Sequence, residues 1–259
     1  MEIWQAIVLG AVQGFTEFLP VSSSGHLILL QNWFGITENV IFYSVMLHLG
    51  TLVPVLLVLY KEVFALFKKP FNKLWFLILA TIPAGVVGII FSKVIDLDSL
   101  FANNVWLLSI TFLITAGEML YSEYRCKKVQ MLNEINTKTS FIMGCGQAVG
   151  VLPGISRSGT TITFGCLANV KRERNANFTF IMSIPIILAA VLLESVDMIK
   201  GGGIGSVDII PLIFGVLTAL ICGYIAIKFM LKIIKKANYK WFSLYLVLIS
   251  ITNLIVYFA

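Results

Sequence analysis

The chain has 259 residues, of which 58% are hydrophobic and 12% charged, and its mean hydropathy is +0.93. Soluble domains carry roughly twice that charged fraction, so a soluble globular protein is excluded. The formal charge of +6 fits short basic loops beside a membrane and does not call for a nucleic-acid partner.

Apolar spans run at about 4–19, 22–34, 40–60, 74–92, 104–121, 139–152, 156–170, 176–197, 209–231 and 241–258. Several approach the roughly 20 residues that cross a bilayer as a helix. A β-barrel would show shorter, alternating segments. The expected fold is therefore all-α and polytopic. The opening MEIWQAIVLG carries Glu2 where a secretory signal carries bases, so no cleaved signal is expected. Trp4, Trp33, Trp75, Trp106 and Trp241 fall near span ends, as in an interfacial aromatic belt. Pro54, Pro83 and Pro185 lie inside spans and read as kinks. Cys126, Cys145, Cys166 and Cys222 show neither metal spacing nor a disulfide framework and read as small hydrophobes.

Loop charge sets the expected topology. Basic residues gather around Lys61–Lys73, Arg125–Lys128, Lys171–Arg174 and Lys232–Lys240, whereas "KVIDLDSLFANN" and "ESVDMIKGGGIGSVD" are poor in them. The positive-inside rule places the first four loops in the cytoplasm and the other two outside. The segment 139–170 then begins and ends on the cytoplasmic side. Its two apolar halves are each short for a crossing and flank "LPGISRSG". That is the pattern of a re-entrant helical hairpin, whose irregular tip is tolerated only where protein or a wet cavity surrounds it.

The first 34 residues have the same form, with two short halves around "LPVSSSG" and both ends outside. At an offset of 134, Gly10/Gly144, Gln13/Gln147, Ser22/Ser156, Ser24/Ser158 and Gly25/Gly159 coincide. Three spans follow each hairpin, an odd number, so the second repeat is inverted. The expected architecture is one membrane domain over 1–259: repeat one at about 1–125, repeat two at about 138–259, and both termini outside. Inverted repeats with interrupted helices place a site where the interruptions meet.

The two tips define chemistry. At each, a proline stops one half-helix and serines open the next, aiming backbone N–H groups and a positive dipole end inward. Such an end binds anions. Arg157 adds a permanent cation with a fork suited to phosphate, and Ser156, Ser158, Thr160 and Thr161 add donors. Glu17 beside a phosphate calls for a metal ion or a general-base role. Ser23 and His26 are three apart and share a helix face, which suits an activated hydroxyl with an imidazole partner. The bland readings are a helix cap for Ser22–Ser24, a core imidazole for His26 and a structural pair of Arg157 with Glu17. Intramembrane ionisable groups are costly and usually functional, which favours the chemical reading. His48, in "VMLHLGT", reads as structural or as support for the site.

"QGFTEFLPVSSSGHL" and "LPGISRSGTTI" resemble the paired motifs of the bacterial undecaprenyl-diphosphatases of the bacitracin-resistance type. The resemblance spans nearly the whole chain, including "FTFIMSIPIILAA" after the second motif. It implies a hydrolase that removes the terminal phosphate of undecaprenyl diphosphate and so regenerates the lipid carrier of peptidoglycan precursors. Activity would depend on Mg2+ or Ca2+, and the site would open toward the outer face of the cytoplasmic membrane. Bacitracin would compete for the lipid, and a homodimer is one oligomeric state left open. Carried over by position, Glu17 is the essential acid and metal ligand. Ser23 is the nucleophile, His26 its partner and Arg157 the diphosphate clamp. Ser22, Ser24, Ser156, Ser158 and Thr161 surround the substrate. Some members have glutamate where this chain has Gln13, which leaves its amide oxygen as the available ligand for metal or substrate. Two rivals are weighed. Membrane phosphatases with a histidine nucleophile need a second histidine after their Ser-Arg motif, and none follows His48 here. A polyprenyl-phosphate flippase would share the architecture but has no need of Ser23, His26 and a metal-dependent Glu17.

Overall fold

The computed structural model describes residues 1–94, 97–200 and 207–258. The two base-poor loops of the topology argument therefore lie partly outside the described residues, at 95–96 and 201–206. The described chain is all-α, with one isolated bridge between Asn133 and Val170. In order, the helices are α1 Ile3–Phe18, α2 Ser23–Trp33, α3 Val40–Val58, α4 Tyr60–Leu66, α5 Asn72–Val94, α6 Leu97–Asn103 and α7 Leu107–Lys128. They continue as α8 Thr137–Val149, α9 Arg157–Leu167, α10 Arg172–Ile181, α11 Ser183–Lys200, α12 Ile209–Lys236 and α13 Lys240–Phe258.

Among the described residues, five stretches are long and apolar enough to cross a membrane: Val40–Val58, Asn72–Phe91, Arg172–Lys200, Ile209–Lys236 and Lys240–Phe258. Their outward faces are apolar, with Leu57, Ile82, Val86, Ile221, Ile225 and Leu248 all exposed. That is the surface a lipid solvent requires of a multi-pass membrane protein. The sequence reading expected a further crossing at 104–121. The helix there, α7, has 22 residues but carries Glu118, Glu123, Arg125, Lys127 and Lys128, so it lacks the apolar composition of the five. The expected span 176–197 is broken at Met182, between α10 and α11. Pro185 accounts for the break, because it cannot donate to the carbonyl four residues earlier. Pro54 and Pro83, by contrast, lie inside continuous helices.

The hairpin arms are short. At 1.5 Å per residue, the 16 residues of α1 reach about 24 Å and the 11 of α2 about 17 Å, less than the roughly 30 Å hydrocarbon core. The 13 residues of α8 and 11 of α9 are shorter still as a pair. Each first arm docks on a long helix from the other half of the chain: α1 on α12, and α8 on α5. Glycine makes both contacts possible. A Cβ at Gly10 would overlap the Gly215 carbonyl oxygen, and one at Gly144 would lie 2.6 Å from the Ala80 carbonyl oxygen. Small residues at helix contacts are the usual means of close packing in membranes.

Polar side chains join the remaining helices. Ser109 Oγ donates to the Ser250 carbonyl and Ser250 Oγ to the Ser109 carbonyl, both at 3.1 Å, tying α7 to α13. Ser122 and Thr163 hydroxyls meet at 2.7 Å between α7 and α9. One cysteine reading is corrected on this same contact: Cys126 and Cys166 form a disulfide, with Cα atoms 6.2 Å apart. They are separated by 40 residues, and only the packing of α9 on α7 brings them together. Cys145 and Cys222 are free thiols.

Candidate active site

Pro20 stops α1. A residue before proline is driven out of the helical region, and Leu19 is extended at φ −76° and ψ 141°. The chain then turns through Ser22, whose φ of 68° is costly for a residue with a side chain. Ser22 Oγ accepts from the Gly25 amide and caps α2. The second tip repeats the device: Ser156 Oγ accepts from the Gly159 amide and caps α9. The tips touch. A Cβ on Gly25 would lie 2.9 Å from Gly154 Cα, and Ser158 Oγ donates to the Leu19 carbonyl at 3.3 Å.

Glu17 sits at this junction, 5% exposed, and its two oxygens divide the work. Oε1 takes an ion pair from Arg157 Nη2. Oε2 accepts from Ser23 Oγ at 2.7 Å and from Gln13 Nε2 at 3.0 Å. His48 Nε2 approaches the same Oε2 at 3.4 Å. A cavity of about 200 Å³ opens here, walled by Glu17, Ser23, Ser24, His48, Ser156, Arg157 and Ser158 on its polar side. Val45, Ile155, Ile186, Ile187 and Ala190 line the rest. Hydroxyl, carboxylate and guanidinium thus face one space that an apolar wall borders.

The other expected residues stand as follows. Ser24 lines the cavity and its hydroxyl lies 3.4 Å from that of Ser22. Ser156 and Ser158 hydroxyls are 3.2 Å apart. Thr161 is buried and donates to the Arg157 carbonyl at 2.8 Å, so it braces the arginine's own turn of helix. Thr160 is spent in the same way, on the Ser156 carbonyl at 3.0 Å. Gln147, the offset mate of Gln13, is buried with no partner on either polar atom.

His26 departs from the expected pairing with Ser23. Its Nδ1 donates to the Ser22 carbonyl at 2.7 Å, and Nε2 faces the Tyr245 hydroxyl of α13 at 2.6 Å. The ring stacks on Tyr245 with an interplanar angle of 11° and packs against Phe112. Ser23 at the head of α2 turns to Glu17 instead, so the hydroxyl's partner is a carboxylate. Sequence reasoning missed Tyr245 and gave His48 only a structural or supporting role. For His48 a signal existed: Ser44, His48 and Thr51 recur at i, i+4 and i+7, a polar stripe on an otherwise apolar helix.

Two buried atoms have no partner and bear on ligands. Arg157 Nη1 is an unused donor beside the cavity, and Gln13 Oε1 is an unused acceptor beside Glu17. A buried group left unpaired costs about 1–3 kcal/mol, so a ligand that satisfied both would be favoured. An anion oxygen suits the first and a hard cation the second. Among the described residues no three His, Cys, Asp or Glu side chains cluster as a ready-made metal cage. The donor set of one carboxylate, one amide oxygen and one hydroxyl nonetheless fits an ion such as Mg2+, which keeps waters and substrate phosphate oxygens in its shell.

Fold and site together define a multi-pass membrane protein with a buried acid, hydroxyl and guanidinium at the junction of two interrupted hairpins. The family described as bacitracin resistance protein BacA matches residues 6–252, and the chain belongs to that family. It is 39% identical over 257 residues to an undecaprenyl-diphosphatase of Carboxydothermus hydrogenoformans, covering 98% of this chain and 97% of that protein. It is 38% identical to an undecaprenyl-diphosphatase of Methanobrevibacter smithii, covering 97% and 96%. It is 37% identical to one of Treponema denticola, covering 100% and 98%.

Proposed function

We propose that this protein is an undecaprenyl-diphosphate phosphatase, a membrane hydrolase that removes the terminal phosphate to give undecaprenyl phosphate. The observation that carries the reading is the Ser23 hydroxyl held 2.7 Å from a buried Glu17 oxygen, in the cavity where Arg157 keeps a free donor. Relatives over the full length carry the same activity in their names.

The diphosphate enters the polar side of the cavity and its prenyl chain leaves along the apolar side. Arg157 turns its guanidinium to the phosphate oxygens, with Ser156 and Ser158 and the α9 amides beside it. Glu17 takes the Ser23 proton as Oγ attacks the terminal phosphorus. The bond to the bridging oxygen breaks, and undecaprenyl phosphate departs with that oxygen and its electron pair. Water then attacks the phosphoserine, Glu17 returns its proton to the departing Ser23 oxygen, and inorganic phosphate leaves with both water hydrogens. Gln13 and the Arg157 pair hold Glu17 in line for both steps. His26, braced by Tyr245, fixes the tip from behind. Glu17 and the Gln13 amide oxygen would hold a divalent cation, Mg2+ or Ca2+, which when bound would offset phosphate charge.

The protein lies in the cytoplasmic membrane with both termini and the site toward the outer face, where bacitracin would compete for the same lipid. The two-repeat arrangement, at about 1–125 and 138–259, is supported by the crossed docking of α1 on α12 and α8 on α5. A flippase is not favoured, because transport gives no role to a hydroxyl activated by a buried carboxylate. The test is phosphate release from undecaprenyl diphosphate by detergent-purified protein, with and without EDTA. Release that EDTA removes is expected. A folded protein that releases none, yet moves lipid across liposomes, would overturn the reading.

A further inference from the structure

His48 stands apart from the residues that the mechanism uses, yet it lines the same cavity. Its Nδ1 lies 2.7 Å from the Ser44 carbonyl one turn earlier on α3. A carbonyl can only accept, so Nδ1 carries a ring hydrogen and Nε2 is the nitrogen turned to the cavity. It faces Glu17 Oε2 at 3.4 Å. The separation is longer than a good N–H···O bond, which runs 2.7–3.2 Å. It does match two donors that share one ion: at roughly 2.1 Å from a cation, two ligand atoms are about 3.0–3.4 Å apart, from right-angled to tetrahedral geometry.

Three further features agree. A ring N–H given to a backbone carbonyl is the usual way a protein orients a metal-binding imidazole. Arg157 occupies Oε1, whereas Ser23, Gln13 and His48 all converge on Oε2. Gln13 Oε1, buried and unpaired, is on the residue that hydrogen-bonds this same oxygen.

We infer that His48 is a ligand of the divalent cation through Nε2, so that the site is a mixed nitrogen–oxygen site and prefers Mn2+-like ions to Ca2+. Imidazole suits transition ions, whereas Ca2+ takes oxygen donors. The inference rests on the phosphatase reading for the cation's purpose but not for its detection.

The experiment uses the full chain in detergent with Mn2+ alone as the probe, read by electron spin-echo envelope modulation. The chain has two histidines, so the assignment is direct. A 14N coupling typical of bound imidazole is expected in wild type and in His26→Gln, and should be lost in His48→Gln. Mn2+ affinity should fall about 10–100-fold in His48→Gln. If that variant does not fold, 15N-histidine labelling of His26→Gln, in which His48 is the one remaining histidine, gives the same answer, because the coupling must change isotope. Bound Mn2+ without nitrogen coupling in wild type, no Mn2+ binding, or coupling lost in His26→Gln instead would each overturn the inference. Phosphate release measured on the same samples separates the two claims. Release with Mn2+ but no coupling sinks the ligand and leaves the phosphatase. Coupling with no release keeps the ligand and sinks the phosphatase.

Discussion

The two hairpin tips are built alike and charged oppositely. Each has a short helix, a proline, a serine cap and a glycine three residues past it: Ser22 and Gly25 in one, Ser156 and Gly159 in the other. The side chains inside that frame diverge. At the offset of 134, Ser23 falls opposite Arg157, and Glu17 falls opposite Val151. The first tip supplies acid and hydroxyl, the second a cation and amides. A frame that meets itself places two helix N-termini at one point, which attracts anions from both sides. Having Val151 and Arg157 in the second tip where the first has Glu17 and Ser23 converts a symmetric anion trap into a centre with a nucleophile and a clamp.

Glu17→Gln attacks the first tip hardest. It removes the base for Ser23 and the partner of Arg157 together, so kcat should fall about 10²–10⁴-fold. Phosphate release in detergent reads this directly, and a loss under tenfold would return Glu17 to a structural role. Arg157→Lys tests the second tip. A point charge cannot replace the fork, so kcat/KM should fall about 10–100-fold with folding intact. Gly10→Ala tests the frame alone, because its methyl would overlap Gly215 of α12 far from either tip's chemistry. A loss of about 1–3 kcal/mol is expected as a lower melting temperature in detergent. Tyr245→Phe should matter least. It removes one hydrogen bond to His26, worth about 1 kcal/mol, and should change kcat less than tenfold. A loss rivalling that of Glu17→Gln would put the imidazole back into the chemistry.

What was legible in the sequence was local. The hairpin arms expected at 4–19 and 22–34 are helices at Ile3–Phe18 and Ser23–Trp33, because apolar length, Pro20 and the serine cap are signals within a few residues. Arg157 and Glu17 were legible as ionisable groups that a membrane makes expensive. What escaped depends on contacts across the chain. The Cys126–Cys166 bond needs α9 on α7. The turn of His26 away from Ser23 needs Tyr245, 219 residues further on, to offer a better partner. His48 reaches Glu17 only because α3 packs beside α1. Charge near helix ends misled in one place: α7 continues as helix through Arg125–Lys128, where the sequence suggested that the span had ended.

The central claim is that Ser23, held by Glu17, is the attacking group. The most direct measurement is phosphate release by Ser23→Ala beside wild type, with folding checked by thermal melting and substrate binding measured separately. The account predicts turnover lost by at least about 10³-fold with melting and binding near those of wild type. Near-normal turnover by Ser23→Ala would contradict it and give the attack to water.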